Sequence, residues 1–209
     1  MLRELLPHLA TARGDDPVTT AERELIGKQI PGFLPTPPAV TQELLTRADI
    51  KPHHRVLEPS CGKGDILDAV RGRHPDCYLH GMEMNRTFAN VLRAKGFAED
   101  DVQFADFLQC HGQYDRIVAN PPFNYPTTGS DMTHVMHMYD CLAPGGRLAS
   151  IMGEHAFFAD TSQAVDFRAW LDAVGGESEK LPDDSFQGVN AFRETGVMTR
   201  LVVIQKERK

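Results

Sequence analysis

Short apolar segments alternate with amphipathic segments along most of this chain, and the alternation limits the folds that it can adopt. The apolar segments have the length and composition of strands, and they span residues 55–58, 78–83, 102–104, 114–119, 147–152 and 199–205. Between them, apolar side chains recur at helical spacing, as at Ala164, Phe167, Leu171 and Val174. Strands that alternate with helices are typical of a parallel sheet covered on both faces. The sequence therefore predicts an α/β fold with a doubly wound, mostly parallel sheet.

The length and composition are those of one ordinary globular domain. The chain has 209 residues, of which 41% are hydrophobic and 24% charged, and no apolar run approaches the roughly 20 residues that a membrane span needs. Residues 1–30 are expected to form an N-terminal helical extension, with a helix from Thr19 or Thr20 to Ile30, and residues 31–209 the main domain. The N-terminus does not resemble a signal peptide. A cytoplasmic protein without membrane contact is therefore expected.

The first strand is followed by a glycine-containing turn of the kind that approaches a ligand closely. Gly62 and Gly64 stand directly before a predicted helix. A dinucleotide-binding fingerprint would need a third glycine where Leu67 stands, so a bound pyrophosphate is not expected. Glu58, at the end of the strand, suits a cationic or amine-bearing ligand better than a phosphate. An ordinary strand-to-helix turn has similar glycines, so this motif alone does not decide the function.

Acidic residues also mark the ends of the next two strands. Glu83 ends the second strand, where a carboxylate can accept hydrogen bonds from both hydroxyls of a ribose. Asp106 and Phe107 follow the third strand, where a carboxylate beside an aromatic ring can bind an adenine amino group and stack on its ring. These turns lie at the carboxyl ends of predicted parallel strands, which is where such sheets bind ligands.

The turn after the fourth strand, Asn120-Pro121-Pro122-Phe123, carries the sharpest signal. Two consecutive prolines after an apolar strand end its ladder of hydrogen bonds and fix the direction of the carbonyls. The amide oxygen of Asn120 and a proline carbonyl can then both accept from one exocyclic NH2 group, which aims the nitrogen lone pair at an electrophile. Phe123 offers a face on which a planar group can stack. The turn therefore predicts chemistry on an amine.

These turns, in this order, resemble motifs I to IV of the class I S-adenosylmethionine-dependent methyltransferases. The matching segments are Val56-Leu-Glu-Pro-Ser-Cys-Gly-Lys-Gly, Gly81-Met-Glu, Ala105-Asp-Phe and Tyr114-Asp-Arg-Ile-Val-Ala-Asn-Pro-Pro-Phe. The order matches the amino-methyltransferase branch, in which Pro35-Thr36-Pro37 resembles the upstream motif X. Over about residues 31–209 the chain is most similar to phage- and plasmid-borne DNA adenine-N6 methyltransferases. The resemblance implies a Rossmann-like sheet with an antiparallel closing strand.

The resemblance also implies S-adenosylmethionine as the cofactor. Thr36 and the turn at residues 60–64 would hold its methionine part, Glu83 its ribose, and Asp106 with Phe107 its adenine. The implied cofactor-binding residues are Thr36, Glu58, Ser60, Cys61, Gly62, Gly64, Glu83, Met84, Asp106, Phe107 and Asn120.

By the same resemblance the Asn120–Phe123 turn would be catalytic. Asn120 and Pro121 would orient the target amine, and Phe123 would stack on a flipped base. The implied catalytic residues are Asn120, Pro121, Pro122 and Phe123. Methyl transfer from sulfonium to nitrogen would be direct and in line, and it would depend on proximity and alignment more than on a strong base.

No metal is predicted, although three potential ligands lie at helical spacing. His134, His137 and Cys141 share one helical face, but such residues more often flank the apolar face of a helix. The four cysteines form no Cys-x-x-Cys pair, and free thiols are expected.

Four functions are compatible with these motifs. The first is methylation of adenine N6 in DNA, with little or no sequence preference because no stretch of the size usual for a separate target-recognition domain is left over. The second is methylation of RNA at adenine N6 or guanine N2, and the third is methylation of a protein glutamine. The fourth is a non-catalytic module that only binds S-adenosylmethionine; the complete Asn120–Phe123 turn argues against it.

The charge of the chain weighs against a nucleic acid substrate. The formal net charge is −7, whereas broad binding of nucleic acid depends on Lys and Arg that neutralise phosphates. A local patch of Lys63, Arg86, Lys180 and Arg193 near the site would still allow it. DNA is the first expectation for the partner and RNA the second, and the sequence does not indicate an oligomeric state.

Overall fold

The computed structural model describes residues 16–28, 30–186 and 198–208, and a seven-stranded sheet forms its centre. The strands are β1 (Arg55–Glu58), β2 (Tyr78–Met82), β3 (Val102–Gln103), β4 (Tyr114–Ala119), β5 (Leu142–Gly153), β6 (Glu177–Lys180) and β7 (Thr199–Gln205). Their order across the sheet is β3-β2-β1-β4-β5-β7-β6. The pairings among β1 to β5 are parallel, whereas β7 runs antiparallel to β5 and β6. The predicted α/β sheet with an antiparallel closing strand is confirmed.

Helices cover both faces of this sheet. Those of the described residues are α1 (Pro17–Arg23), α2 (Pro38–Ala48), α3 (Asp65–Arg73), α4 (Ala89–Ala94), α5 (Ser130–Asp140), α6 (His155–Phe158) and α7 (Ser162–Ala173). Because successive strand residues point to opposite faces, Val56 belongs to a buried cluster with Leu44 of α2, and the next residue, Leu57, to a cluster with Met138 of α5 and Phe167 of α7. The sheet is therefore doubly wound, as predicted.

The N-terminal helix is shorter than the sequence predicts. The carboxylate of Asp16 caps α1 by accepting from the backbone N–H groups of Val18 and Thr19. The helix ends at Arg23 instead of Ile30, and a turn follows in which Gly27 has a φ of +80°. Its apolar side joins a buried cluster of α3 and α4, whose members include Ala21, Leu25, Leu67, Phe88, Val91, Leu92 and Phe97. The extension thus packs on the fold, and its separation from the main domain at residue 30 stays a prediction.

Two further elements differ from the sequence-based expectation. Strand β5 begins at Leu142 and not at Arg147. Its pairing with β4 passes through a bulge, in which the one residue between Tyr114 and Arg116 lies opposite the four residues 143–146 of β5. Strand β6 is not among the predicted strands. All four residues of β6 are exposed, so it has no apolar alternation from which a strand could be predicted.

The order of the strands creates a crevice at one edge of the sheet. The chain runs from β1 outward through β2 to β3 and then returns to β4, which pairs with β1 on its other side. In such sheets, ligands bind outside the carboxyl ends of the strands at the point where the order reverses. Glu58 ends β1 there, and Asn120 directly follows β4. In the described ranges, no helix is long and apolar enough to cross a membrane.

Candidate active site

A cavity of about 560 Å³ opens at this edge of the sheet, within the range of roughly 300–1,000 Å³ that ligand pockets occupy. The predicted site residues that line it are Thr36, Glu58, Ser60, Cys61, Gly62, Glu83, Met84, Asp106, Phe107, Asn120 and Pro122. Three of the predicted residues, Gly64, Pro121 and Phe123, do not line it. The sheet thus brings most of the predicted set together, from five separate stretches of the chain.

The turn after β1 approaches the cavity with its backbone. The backbone N–H of Gly62 donates to Oε2 of Glu83 at 2.8 Å, and that of Cys61 donates to the carbonyl of Met82 at 2.9 Å. Gly62 has a φ of +52°, and a Cβ placed on it would lie 2.6 Å from the ring of Phe33. Glycine is therefore required at this position by both backbone conformation and space.

Gly64 does not line the cavity; its position lets the turn pack closely against α4. It caps α3 with a φ of +84°, and a Cβ there would lie 2.8 Å from the side chain of Leu92 in α4. Its lack of a side chain lets α3 begin close against α4. The predicted contact between Gly64 and the cofactor thus has no support in the cavity lining.

Glu83 presents a carboxylate whose orientation is fixed by two backbone donors. Oε1 accepts from the N–H of Asn85 at 2.6 Å and Oε2 from the N–H of Gly62 at 2.8 Å. Burial raises the pKa of Glu83, and the backbone hydrogen bonds oppose that rise. Each carboxylate oxygen can accept a further hydrogen bond. Glu83 is therefore able to accept from the two hydroxyls of a ribose, as predicted.

Glu58 is a second buried acid in the same wall. It is 2% exposed, and its Oε2 has no hydrogen-bond partner. Burial raises the pKa of Glu58 well above its ordinary range, and the negative charges of Asp65 and Glu83 raise it further. A buried acidic oxygen without a partner needs a hydrogen-bond donor or a positive charge. This position therefore fits a ligand that carries a cation, such as a sulfonium or an ammonium group.

The predicted adenine end combines one exposed acid with one buried ring. Asp106 is exposed, and its Oδ1 accepts from the N–H of Leu108 at 2.9 Å. Phe107 is only 2% exposed, and its ring packs against His134 and His137 at centroid distances of 5.9 and 4.8 Å. Both Asp106 and Phe107 line the cavity, and the ring of Phe107 contacts His134 in a stacked arrangement and His137 in a T-shaped one. Its role in stacking on a cofactor ring stays a prediction.

Asn120 is the most constrained polar side chain of the site. Its Nδ2 donates to the carbonyl of Leu34 at 2.9 Å and to the hydroxyl of Thr36 at 3.0 Å. Its Oδ1 is buried and has no partner. Asn120 lines the cavity, both hydrogens of its side-chain nitrogen are engaged, and its buried oxygen is an acceptor that remains unused.

The other residues of the Asn120–Phe123 turn lie partly at the cavity and partly against the core. Pro122 and the following Tyr125 line the cavity, and Tyr125 is 40% exposed. Phe123 is half-buried and packs against a core cluster, where Gly153 of β5 lies beside its ring. The stacking of Phe123 on a substrate base and the contact of Pro121 with the target amine therefore stay predictions.

Two features of the cavity were predicted only in part or not at all. Residues 30–36, here called the strap, all line the cavity, and of these the sequence predicted Thr36 alone. His134 of α5 also lines the cavity, and its Nδ1 lies 2.8 Å from the carbonyl of Ser130. Since a carbonyl only accepts, Nδ1 carries the proton and Nε2 is left as an acceptor.

The predicted basic patch is only partly present. Lys63 and Arg86 line the cavity, but Lys63 is paired with Glu22 and Asp65 at 2.9 and 3.1 Å, and Arg86 lies over the ring of Phe104. The third base of the predicted patch, Lys180, is paired with an aspartate three residues later in the chain. The fourth, Arg193, lies outside the described residues.

Metal ligands do not converge in the described part of the chain. There, no group of three or more His, Cys, Asp or Glu side chains is arranged to hold a metal ion. His137 lies with its Nε2 2.9 Å from the carbonyl of Cys110, and the thiol of Cys141 contacts the same carbonyl. His137 and Cys141 therefore both contact the backbone carbonyl of Cys110.

Comparison with known proteins identifies the class to which this arrangement belongs. No protein-family model matches the chain. The chain is 30% identical over 139 residues to the modification methylase CviBIII of Paramecium bursaria Chlorella virus NC1A, covering 59% of this chain and 36% of that protein. It is 29% identical over 119 residues to the ribosomal RNA small subunit methyltransferase C of Shewanella loihica, covering 51% and 33%. The chain thus spans about a third of the length of the curated relatives that it matches.

Solved structures extend the similarity to nearly the whole chain. A modification subunit assigned to a type I restriction enzyme of Vibrio vulnificus YJ016 superposes with a TM-score of 0.71 at 17% identity, over 91% of this chain and 48% of that one. A Listeria monocytogenes protein, described as a class I S-adenosylmethionine-dependent methyltransferase, gives 0.67 at 15% identity, over 90% and 66%.

The fold is that of the class I S-adenosylmethionine-dependent methyltransferases. The relatives named as methylases and methyltransferases confirm the resemblance, the enzyme class and the cofactor that the motifs predict. The cavity fits that cofactor because it offers a glycine turn for close backbone approach, a fixed carboxylate at Glu83 and a buried unpartnered acid at Glu58.

Proposed function

We propose that this chain transfers the methyl group of S-adenosylmethionine to an exocyclic amine, with adenine N6 of DNA as the preferred target. The observation that carries the proposal is the amide of Asn120, a residue that lines the cavity and whose Oδ1 is buried without a partner. A buried amide oxygen without a donor costs free energy in the folded protein. An NH2 group of a substrate supplies the missing donor at that atom.

Residues of the chain itself would align the target amine for methyl transfer. Oδ1 of Asn120 accepts one N–H of the target amine, and the carbonyl of Pro121 is the second acceptor that the family resemblance implies. Two acceptors in fixed positions turn the nitrogen lone pair away from its ring and toward the cavity. Holding reactants in a near-attack geometry supplies a large part of the barrier reduction in such reactions.

The cofactor supplies a methyl group on a sulfonium, which is an electrophile with a good leaving group. Transfer of that methyl group would form the N–CH3 bond as the S–CH3 bond breaks, with the electron pair of that bond left on sulfur and one proton released from nitrogen to solvent. Glu58 and Glu83 would hold the cationic cofactor, and the strap would exclude water from it.

DNA is favoured by the relative named as a modification methylase, a term that we take to indicate DNA, and by the resemblance of the motifs to DNA adenine-N6 methyltransferases. RNA is the second candidate. It is supported by the relatives named as ribosomal RNA methyltransferases, which match at similar identity. Lys63 is paired with Glu22 and Asp65, so its charge does not extend a basic surface around the cavity. This arrangement fits a substrate that binds without such a surface, such as a base in an unpaired region.

The proposal is tested by following the methyl group. Labelled S-adenosylmethionine is incubated with unmethylated double-stranded DNA, single-stranded DNA, RNA and a protein lysate, in parallel and at low salt. Nucleoside digestion and mass spectrometry then locate the methyl group. Asn120→Ala serves as the inactive control, and cofactor binding is measured separately for both proteins by calorimetry.

The expected result is N6-methyladenine in DNA that depends on Asn120. Label at adenine N6 or guanine N2 of RNA alone would replace DNA by the second candidate. Label in protein alone would overturn the nucleic acid assignment. Cofactor binding without transfer to any of the four acceptors would overturn the proposed activity as a whole.

A further inference from the structure

The side chain of Asn120 is held from a part of the chain more than 80 residues away. Its Nδ2 donates to the carbonyl of Leu34 and to Oγ1 of Thr36, both in the strap, at 2.9 and 3.0 Å. The hydroxyl of Ser60, in the turn after β1, donates to the backbone carbonyl of Asn120 at 3.5 Å and so does not contact the amide. The direction of the amide is therefore decided by the strap.

The two strap acceptors leave only one orientation for this amide. The carbonyl of Leu34 can accept but cannot donate, so the group that faces it must be the NH2 end of the amide. Thr36 takes the second hydrogen of the same nitrogen. If the amide turned over, its oxygen would face the carbonyl oxygen of Leu34, and both would lack a donor in a buried site. Oδ1 is thereby directed away from the strap, where it has no partner.

The strap itself is anchored on both sides of these acceptors. Phe33 packs on Phe88 with ring centroids 4.7 Å apart, and a Cβ on Gly62 would collide with the Phe33 ring. Beyond Thr36, Pro37 caps α2, whose Val40 and Leu44 are buried in the core. A hydroxyl fixed between these anchors holds a constant position relative to β4.

We propose that Thr36 is a positioning residue for methyl transfer: its hydroxyl, together with the carbonyl of Leu34, holds the amide of Asn120 with Oδ1 directed at the target amine. This inference rests on the proposed function and adds a role for Thr36 beyond the predicted contact with the methionine part of the cofactor. Loss of the hydroxyl leaves one N–H of Asn120 without an acceptor and leaves the amide held at one point, the carbonyl of Leu34, so that its direction is less closely fixed. We expect the transfer rate to fall about tenfold, the usual scale for one lost hydrogen bond in a buried site.

Three substitutions separate the positioning role of Thr36 from the general effect of removing a buried threonine hydroxyl. Thr36→Val removes the hydroxyl and keeps the shape, whereas Thr36→Ser keeps the hydroxyl. Thr41→Val is the matched control, because Thr41 lies in α2, is 3% exposed, and donates from its hydroxyl to the carbonyl of Pro37 at 3.2 Å, outside the cavity. The same chemical change is thereby made a short distance along the chain.

The first readout needs no activity. Hydrogen exchange of the Asn120 side-chain NH2 is followed by NMR in the protein without cofactor, with the resonance assigned by its loss in Asn120→Ala. We expect exchange to accelerate at least about tenfold in Thr36→Val and to stay at the wild-type rate in Thr36→Ser and Thr41→Val. The second readout is the rate of methyl transfer at saturating cofactor, with the same expected pattern.

The outcomes are distinct. Wild-type exchange in Thr36→Val would show that the hydroxyl does not hold the amide and would overturn the inference. Faster exchange with an unchanged transfer rate at saturating cofactor would overturn it too, because the hydrogen bond would then have no part in positioning. If the wild-type protein transfers no methyl group to any acceptor, the proposed function fails, and the exchange data still report on the contact between Thr36 and Asn120.

Discussion

The backbone N–H of Gly62 and the side chain of Glu83 are joined by a hydrogen bond of 2.8 Å, which ties the turn after β1 to the end of β2. The other oxygen of Glu83 accepts from the N–H of Asn85. One carboxylate thus fixes two turns of the cavity wall while it faces the cavity.

Replacing Glu83 by Gln tests this double role. A carboxamide has one acceptor, so one of the two backbone N–H groups would face an NH2 group in its place. We expect the affinity for S-adenosylmethionine to fall at least about tenfold, since hydrogen bonds to a charged group are worth about 1.5–3 kcal/mol. Isothermal titration calorimetry measures the effect. Glu99→Gln, at an exposed position, is the control, and equal affinity in both variants would contradict the assignment.

Gly62→Ala tests the close approach of the turn to the strap. The new methyl group would lie 2.6 Å from the Phe33 ring, at a φ of +52°. We expect the free energy of unfolding to fall by about 1–2 kcal/mol from the backbone conformation alone, and cofactor affinity to fall because Phe33 must move. Urea denaturation and calorimetry measure the two effects.

The matched control for this substitution is Gly72→Ala in α3. No atom lies within 4 Å of a Cβ at Gly72, and its φ is not positive. Alanine is the better helix former, so we expect a gain of about 0.5–1 kcal/mol in the free energy of unfolding. A loss of stability of the same size in both variants would show that Gly62 has no special place in the turn.

Glu58 is expected to make the stability of the cofactor-free protein depend on pH. Burial is the main cause that raises its pKa above the ordinary value of 4.5; Asp65 and Glu83 add to the rise, and Lys95 opposes it. Between the ordinary and the raised pKa, the folded protein holds a proton that the unfolded chain releases. The stability from this group is therefore complete below pH 4.5 and is lost as the pH rises through the raised pKa.

Glu58→Gln removes this titration while it keeps a similar shape. We expect the difference in unfolding free energy, wild type minus variant, to decrease as the pH rises from 4.5. Urea denaturation at a series of pH values measures it. A difference that stays constant would mean that folding does not shift the pKa of Glu58, and a difference that increases with pH would mean that Glu58 is ionised with a favourable partner in the folded protein.

The same group links cofactor binding to pH. A sulfonium cofactor favours the ionised form of Glu58, so its affinity for the wild type should rise as the pH rises through the pKa of the free protein. Binding should release protons, which calorimetry detects as a dependence of the apparent enthalpy on the buffer. In Glu58→Gln this contribution should disappear, and its persistence would assign the proton release to another group.

The strand ends were predictable because their signals are local. Apolar runs such as Tyr114–Ala119 gave the strands of the parallel sheet, and the residues that follow them gave most of the cavity wall. Strand β6 could not be predicted because its Glu177–Lys180 sequence is exposed and mostly charged and has no apolar alternation. The predicted helix ending at Ile30 was too long, since the charged sequence after Arg23 fits a helix as well as a turn.

The contacts of the site were predictable only in part. The predicted role of Asn120 is compatible with its free Oδ1, but the contact that orients it comes from Leu34 and Thr36. Such a contact depends on how two distant segments meet and leaves no periodic pattern. Phe107 is a second example, since its contacts with two histidines of α5 were not predicted from its motif.

If Oδ1 of Asn120 directs the target amine, Asn120→Ala should lose single-turnover methyl transfer while it still binds the cofactor. The rate is measured at saturating S-adenosylmethionine on the acceptor that the wild type modifies, beside the affinity for the cofactor. We expect a rate at least about 100-fold lower, the cost of misaligning a reactive group, with cofactor affinity within about threefold of the wild type. A near-normal rate at saturation, with only the affinity reduced, would contradict it.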